Sequence, residues 1–76
     1  MTLTVKAEAL FVSVLQPSDA SSSAQLEAAI ESSLEQFGGP SGCAQRLAAE
    51  FGDHPEIAVP RMRWALEALE ATDAPF

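Results

Sequence analysis

The chain is short of most residues that mark a catalytic or nucleic-acid-binding protein. Its 76 residues include one cysteine, one histidine, one tryptophan and four bases. A lone cysteine, Cys43, excludes an internal disulfide and fits a reducing compartment. A lone histidine, His54, leaves a metal site short of the three or four converging ligands it needs. Glu50 precedes His54 at i, i+4 spacing, but Gly52 and Pro55 interrupt the helix that would align them. His54 therefore reads as a turn residue, and a small-molecule or metal site near His54 and Cys43 is the weakest functional alternative. There is no phosphate loop, G-x-S-x-G, C-x-x-C or paired-carboxylate context. No catalytic residue, metal or cofactor is assigned, and an enzyme is not expected. No apolar run approaches the roughly 18 residues needed to span a membrane. "ALFVSVL" (9–15) is interrupted by Ser13 and reads as structure rather than as a signal-peptide core.

Four bases stand against eleven acids, for a net charge of −7. That balance repels phosphate backbones and anionic membranes. The apolar content of 47% is that of a globular chain, and alanine is its commonest apolar residue. Alanine favours helix and close helix approach but buries little area. The expected fold is all-α: one domain over 1–76, a bundle of three or four short helices, with a linker at 17–24 and a tail at 72–76.

Four helical segments follow from the pattern. The first is 5–15, closed by Gln16-Pro17, because a residue before proline avoids the helical region. The second, 23–37, has the clearest period: Leu26, Ile30, Ser33, Leu34 and Phe37 share a face. Ser22 and Gln25 have the spacing of a capping box. Gly38-Gly39-Pro40 stops it. The third, 41–51, takes Ser41 as cap and Cys43, Leu47 and Phe51 as its stripe, widened by Ala44 and Ala48, with Gly52 as a left-handed stop. Asp53 and Glu56 then suggest a second capping box for the last helix, which runs to about 71. Ala58, Met62, Ala65 and Leu69 face its core, and Glu56, Arg63, Glu67 and Glu70 face solvent. Pro60 either kinks this helix or opens its main part, since an interior proline loses a hydrogen bond. The expected core is Leu10, Phe11, Leu26, Ile30, Leu34, Phe37, Leu47, Phe51, Met62, Trp64 and Leu69.

Two clusters point outward from this frame. Arg61, Arg63 and Trp64 are of the types enriched at binding hot spots. Trp64 lies one residue off the apolar stripe and should straddle core and rim. Arg61 lies close enough to the apolar face to need a carboxylate or carbonyl partner. The bland alternative is a core tryptophan with arginines paired to local acids. Glu27, Glu31 and Glu35 make a four-residue-spaced acidic row, which is ordinarily a solvated face.

Residues 41–71 also have the look of a helix-turn-helix, with Leu47, Ala48, Phe51, Gly52 and Ala58 in suitable places. Direct DNA binding is disfavoured, because 54–63 offers only Arg61 and Arg63 against Glu56, and phosphate neutralisation carries most of the affinity.

The segments "LFVSVLQPSD" (10–19), "GCAQRLAAEFGDHPE" (42–56) and "RMRWA" (61–65) resemble a group of small, uncharacterised actinobacterial helical proteins. The resemblance implies a bacterial, cytoplasmic protein and carries over no activity, ligand or catalytic residue. Pro60 departs from the helix-compatible residue that the pattern would hold. The expected function is a non-catalytic protein-interaction module, regulatory or adaptor in kind, with another protein as partner. It would use Arg61, Arg63 and Trp64 together with Glu27, Glu31 and Glu35. A helix-turn-helix nucleic-acid binder is the alternative, no membrane partner is expected, and homodimerisation is left open.

Overall fold

Thr2 starts the first helix, its hydroxyl accepting from the Val5 amide at 3.2 Å. In the computed structural model, which describes residues 2–18 and 22–73, four helices follow in order: α1 (Leu3–Phe11), α2 (Ser23–Phe37), α3 (Gly39–Asp53) and α4 (Pro55–Asp73). There is no strand among the described residues. None of the described helices is long and apolar enough to cross a membrane. Helix α4 ends at Asp73, about two residues beyond expectation; residues 19–21 of the linker and 74–76 of the tail lie outside the described residues.

Helix α1 is the shortest, yet it packs against all three others. Four of its nine residues, Ala7, Ala9, Leu10 and Phe11, are buried. One core draws on every helix. Leu10, Leu26, Ile30, Cys43, Ala65 and Leu69 lie at its centre. Leu34, Phe37, Met62 and Trp64 pack against it half-buried, and Leu47 and Phe51 are likewise half-buried. The most enclosed positions thus include several small side chains, with the aromatics arranged around them. Alanine at the centre lets helix backbones come close, so this short chain encloses a core with few large residues. Ala48, expected on the α3 stripe, is exposed instead.

Helix α2 begins as its capping signal predicts. The Ser22 amide donates to Gln25 Oε1 at 2.9 Å, and the Gln25 amide donates to Ser22 Oγ at 3.2 Å. Such a cap is worth about 1 kcal/mol. The α2–α3 corner is tighter than expected. Gly38 and Gly39 both take left-handed backbone, with φ of 83° and 87°. Gly38 closes α2 and also precedes α3, so α3 starts at Gly39 without any side-chain cap, and Ser41 lies inside it. Gly42 then approaches the end of α2 so closely that a Cβ would overlap the Phe37 carbonyl.

The α3–α4 junction differs from expectation in a related way. Gly52 is helical, and α3 continues to Asp53. A single residue, His54, separates the helices, with φ of −140° and ψ of 63°. Its carbonyl accepts from the amides of Ile57 and Ala58, at 3.1 and 2.9 Å. Asp53 is therefore the last residue of α3, and the D-x-x-E box does not form at that register. Pro55 opens α4, where a missing amide costs nothing.

Pro60 sits inside an unbroken α4 and does not start it. Its ring leaves the Glu56 carbonyl without an i+4 donor. Glu56 and Pro60 are both exposed, which puts that carbonyl within reach of water and lowers the cost.

Candidate functional site

Arg61, in the second turn of α4, makes three side-chain hydrogen bonds to the end of α1 and the turn after it. Its Nε donates to the Phe11 carbonyl at 2.7 Å. Its Nη2 donates to the carbonyls of Ser13 and Leu15, both at 2.9 Å. The guanidinium also lies over the Trp64 ring, 4.8 Å from its centroid, and 5.9 Å from that of Phe11. The partner foreseen for Arg61 is therefore a set of carbonyls rather than a carboxylate. Burial lowers the Arg61 pKa, but a guanidinium stays charged throughout the accessible pH range. Its charge meets the negative end of the α1 dipole, where the last carbonyls lack helical donors.

Arg61 secures the turn that follows α1, which ends at Phe11 rather than at Leu15. In a continuing helix the Leu15 amide would donate to the Phe11 carbonyl. Arg61 takes that carbonyl, and the Leu15 amide turns to Ser13 Oγ at 3.3 Å. The Ser13 hydroxyl donates to the Leu10 carbonyl at 2.6 Å, closing the turn. Residues 12–15 are thus held in shape by a residue nearly fifty positions later.

Beside this clamp is an open cleft of about 310 Å³ between the end of α1, the middle of α3 and the start of α4. Phe11, Val12 and Ile57 supply apolar wall, and Arg46, Glu50 and Arg61 supply charge. Phe11 is braced from α3 by Phe51, stacked at 5.6 Å between centroids. Arg46 and Glu50 are paired at 3.2 Å, four residues apart on α3. Ile57 is 61% exposed. By helical spacing, Ile57, Pro60 and Trp64 lie on the flank of α4 that carries Arg61. Ile57 and Pro60 are exposed and Trp64 is half-buried.

The residues singled out from sequence fall into three places. Arg61 and Trp64 form one stacked unit at the edge of the cleft. Arg63 points to the solvent side of α4 with Glu56, Glu67 and Glu70. Glu27, Glu31 and Glu35 are exposed on α2, where Glu27 and Glu31 line a separate shallow depression with Lys6 and Ile30. The structure does not gather these groups into one site. Sequence reasoning missed Arg46, Glu50 and Ile57 as cleft residues. The Arg46–Glu50 i, i+4 spacing was a visible signal, but nothing in it says that the pair faces the end of α1.

Cys43 is fully buried, and its thiol donates to the Ser33 carbonyl on α2 at 3.6 Å. Burial, with a smaller effect from Glu8, pushes its pKa up, so the neutral thiol persists at ordinary pH. His54 is exposed, with Nδ1 4.0 Å from a Glu56 carboxylate oxygen. Among the described residues no three His, Cys, Asp or Glu side chains converge as a metal site. Nor does the α3–α4 junction reproduce a helix-turn-helix turn of three or four residues, since only His54 intervenes. No protein-family model, curated protein or solved structure matches the chain.

Proposed function

We propose that the protein is a non-catalytic interaction module, regulatory or adaptor in kind, whose partner is another protein. The observation that carries this reading is the flank of α4. Ile57 and Pro60 stand exposed beside half-buried Trp64, next to a cleft that Ile57 also lines. Ile57, 61% exposed, shares a helical flank with exposed Pro60 and half-buried Trp64, an apolar grouping beside the cleft that supports this reading. Arg61 and Trp64 contribute to that surface by shaping it. The acidic row of Glu27, Glu31 and Glu35 and the exposed Arg63 lie outside it and would set orientation and specificity. A bacterial cytoplasmic setting belongs to this proposal.

The nucleic-acid alternative gains no supporting observation. The exposed side of α4 carries Glu56, Glu67 and Glu70 around Arg63, a poor surface for phosphate.

The test is affinity capture from bacterial cytoplasm with three baits: the natural chain, Ile57→Asp and Val59→Asp. Val59 is also exposed, at 47%, but lies on the other edge of α4, so it controls for a surface charge as such. A partner retained by the natural chain and Val59→Asp but lost by Ile57→Asp is the expected result. Equal retention by all three baits, or no specific partner for any, refutes the assignment.

A further inference from the structure

We infer that the cleft between α1, α3 and α4 receives a single acidic side chain, an Asp or Glu next to an apolar residue, from a segment of the partner protein. The inference rests on the interaction-module reading and names the chemistry of its contact.

The first argument is the donor inventory of Arg61. A guanidinium has five N–H groups. Nε uses one on Phe11, and Nη2 uses two on Ser13 and Leu15. The two on Nη1 are left. Among the described residues no side chain or backbone group accepts from Nη1, and no buried side-chain nitrogen or oxygen there is left unpaired, so Nη1 keeps access to water. No carboxylate among the described residues pairs with Arg61, although the chain carries eleven acids against four bases. Among the described residues its charge is met by carbonyl dipoles and by the Trp64 and Phe11 rings. A guanidinium already fixed by three bonds and an aromatic ring presents its remaining donors at little further cost in side-chain entropy.

The second argument is the rest of the lining. Arg46 adds another guanidinium, so two of the chain's four bases share one cleft. Its present partner, Glu50, is half-buried and belongs to an i, i+4 pair at the surface, with Arg46 55% exposed, and such pairs are weak and readily exchanged. Glu50 acts as an internal stand-in for the incoming carboxylate. Phe11, Val12 and Ile57 offer the apolar contact that a neighbouring side chain on the partner would cover. The volume of about 310 Å³ is at the small end for ligand sites, enough for one or two side chains. The net charge of −7 selects against a polyacidic segment, which the whole molecule repels at long range. One carboxylate with an apolar neighbour satisfies both the local attraction and the global repulsion.

The test uses the full chain labelled with ¹⁵N and two capped peptides, acetyl-Ser-Leu-Glu-Leu-Ser-amide and its Gln counterpart, with sodium acetate as the free-carboxylate arm. Resonances of the arginine Nε–H groups and of the Ile57 and Ala58 amides are followed. The Glu peptide is expected to shift them and to bind about ten-fold tighter than the Gln peptide, the value of one charge-assisted contact. Glu50→Gln should tighten binding about two-fold, by removing the internal competitor. Arg46→Ala should weaken it several-fold with the helical spectrum unchanged. Equal binding of the Glu and Gln peptides, acetate as effective as the Glu peptide, or no shift at millimolar peptide overturns the inference. Failure here is distinguishable from failure of the module reading. A captured partner lost on Ile57→Asp but indifferent to Arg46→Ala leaves the module standing and refutes the carboxylate cleft.

Discussion

Replacing Arg61 measures how much of this fold depends on one side chain. Its three hydrogen bonds to Phe11, Ser13 and Leu15 are charge-assisted, a class worth about 1.5–3 kcal/mol each when a partner is removed. They are not additive here, because the turn lies at the surface, with Val14 85% exposed, and freed carbonyls regain water. Loss of the aliphatic stem and of the stacking on Trp64 adds to the cost. Together these give about 3 kcal/mol for Arg61→Ala, and about 2 kcal/mol for Arg61→Met, which keeps most of the apolar stem. A domain of this length is stable by roughly 4–11 kcal/mol, so Arg61→Ala forfeits a large fraction. At about 4–8 °C per kcal/mol, the midpoint should fall by roughly 12–24 °C. Urea unfolding followed by far-UV circular dichroism gives the free energy directly, with an unchanged m-value. A second readout is local. With the Phe11 carbonyl released, the Leu15 amide can take it, so residues 12–15 should move toward helical chemical shifts in Arg61→Met. Stability of Arg61→Met within about 0.5 kcal/mol of the natural chain, the scale of an ordinary surface change, refutes the clamp.

Three further outcomes test the corners and the core. Gly52→Ala should stabilise the protein by about 0.5 kcal/mol, because Gly52 is helical with open space around it; a loss of about 1 kcal/mol in denaturant unfolding would indicate a left-handed stop instead. Gly42→Ala should cost about 2–4 kcal/mol, since its Cβ would overlap the Phe37 carbonyl, and a near-neutral value contradicts the tight α2–α3 corner. Cys43 holds its proton more tightly folded than unfolded, where a thiol titrates near about 8.5. Its contribution is therefore complete below about pH 8.5 and is lost as pH rises further, with a limiting slope of about 1.4 kcal/mol per pH unit. The urea midpoint of the natural chain should fall more steeply above about pH 8.5 than that of Cys43→Ala, and parallel profiles refute the assignment.

Local signals translated well within α2 and along the face of α4. Ser22 and Gln25 form their capping box, and the α2 period places Leu26, Ile30 and Ser33 inside. On α4 the apolar stripe of Ala58, Ala65 and Leu69 is buried, while Glu56, Arg63, Glu67 and Glu70 are exposed. Misreadings gathered at the helix ends. Gly52 and Asp53 look like a stop and a cap, yet α3 runs through both, because His54 alone makes the turn and its carbonyl meets the amides of Ile57 and Ala58. Ser41 looks like a cap, yet Gly38 and Gly39 in left-handed backbone fold α2 directly into α3. Capping propensities are worth about 1 kcal/mol, a margin that packing two helices at a corner readily overrides.

By itself the sequence determined an all-α chain, the buried face of α2 and most of that of α4, a net acidic charge, and the need of Arg61 for a polar partner. Only the tertiary structure decided that this partner is the end of α1 and the turn after it, and that Arg46, Ile57 and Arg61 meet around one cleft. The physical reason is range. Periodicity and caps act within one or two turns, and their energies can be read from adjacent residues. The contacts from Arg61 to Phe11, Ser13 and Leu15 join positions some fifty residues apart, and they exist only once the core has brought α4 against α1.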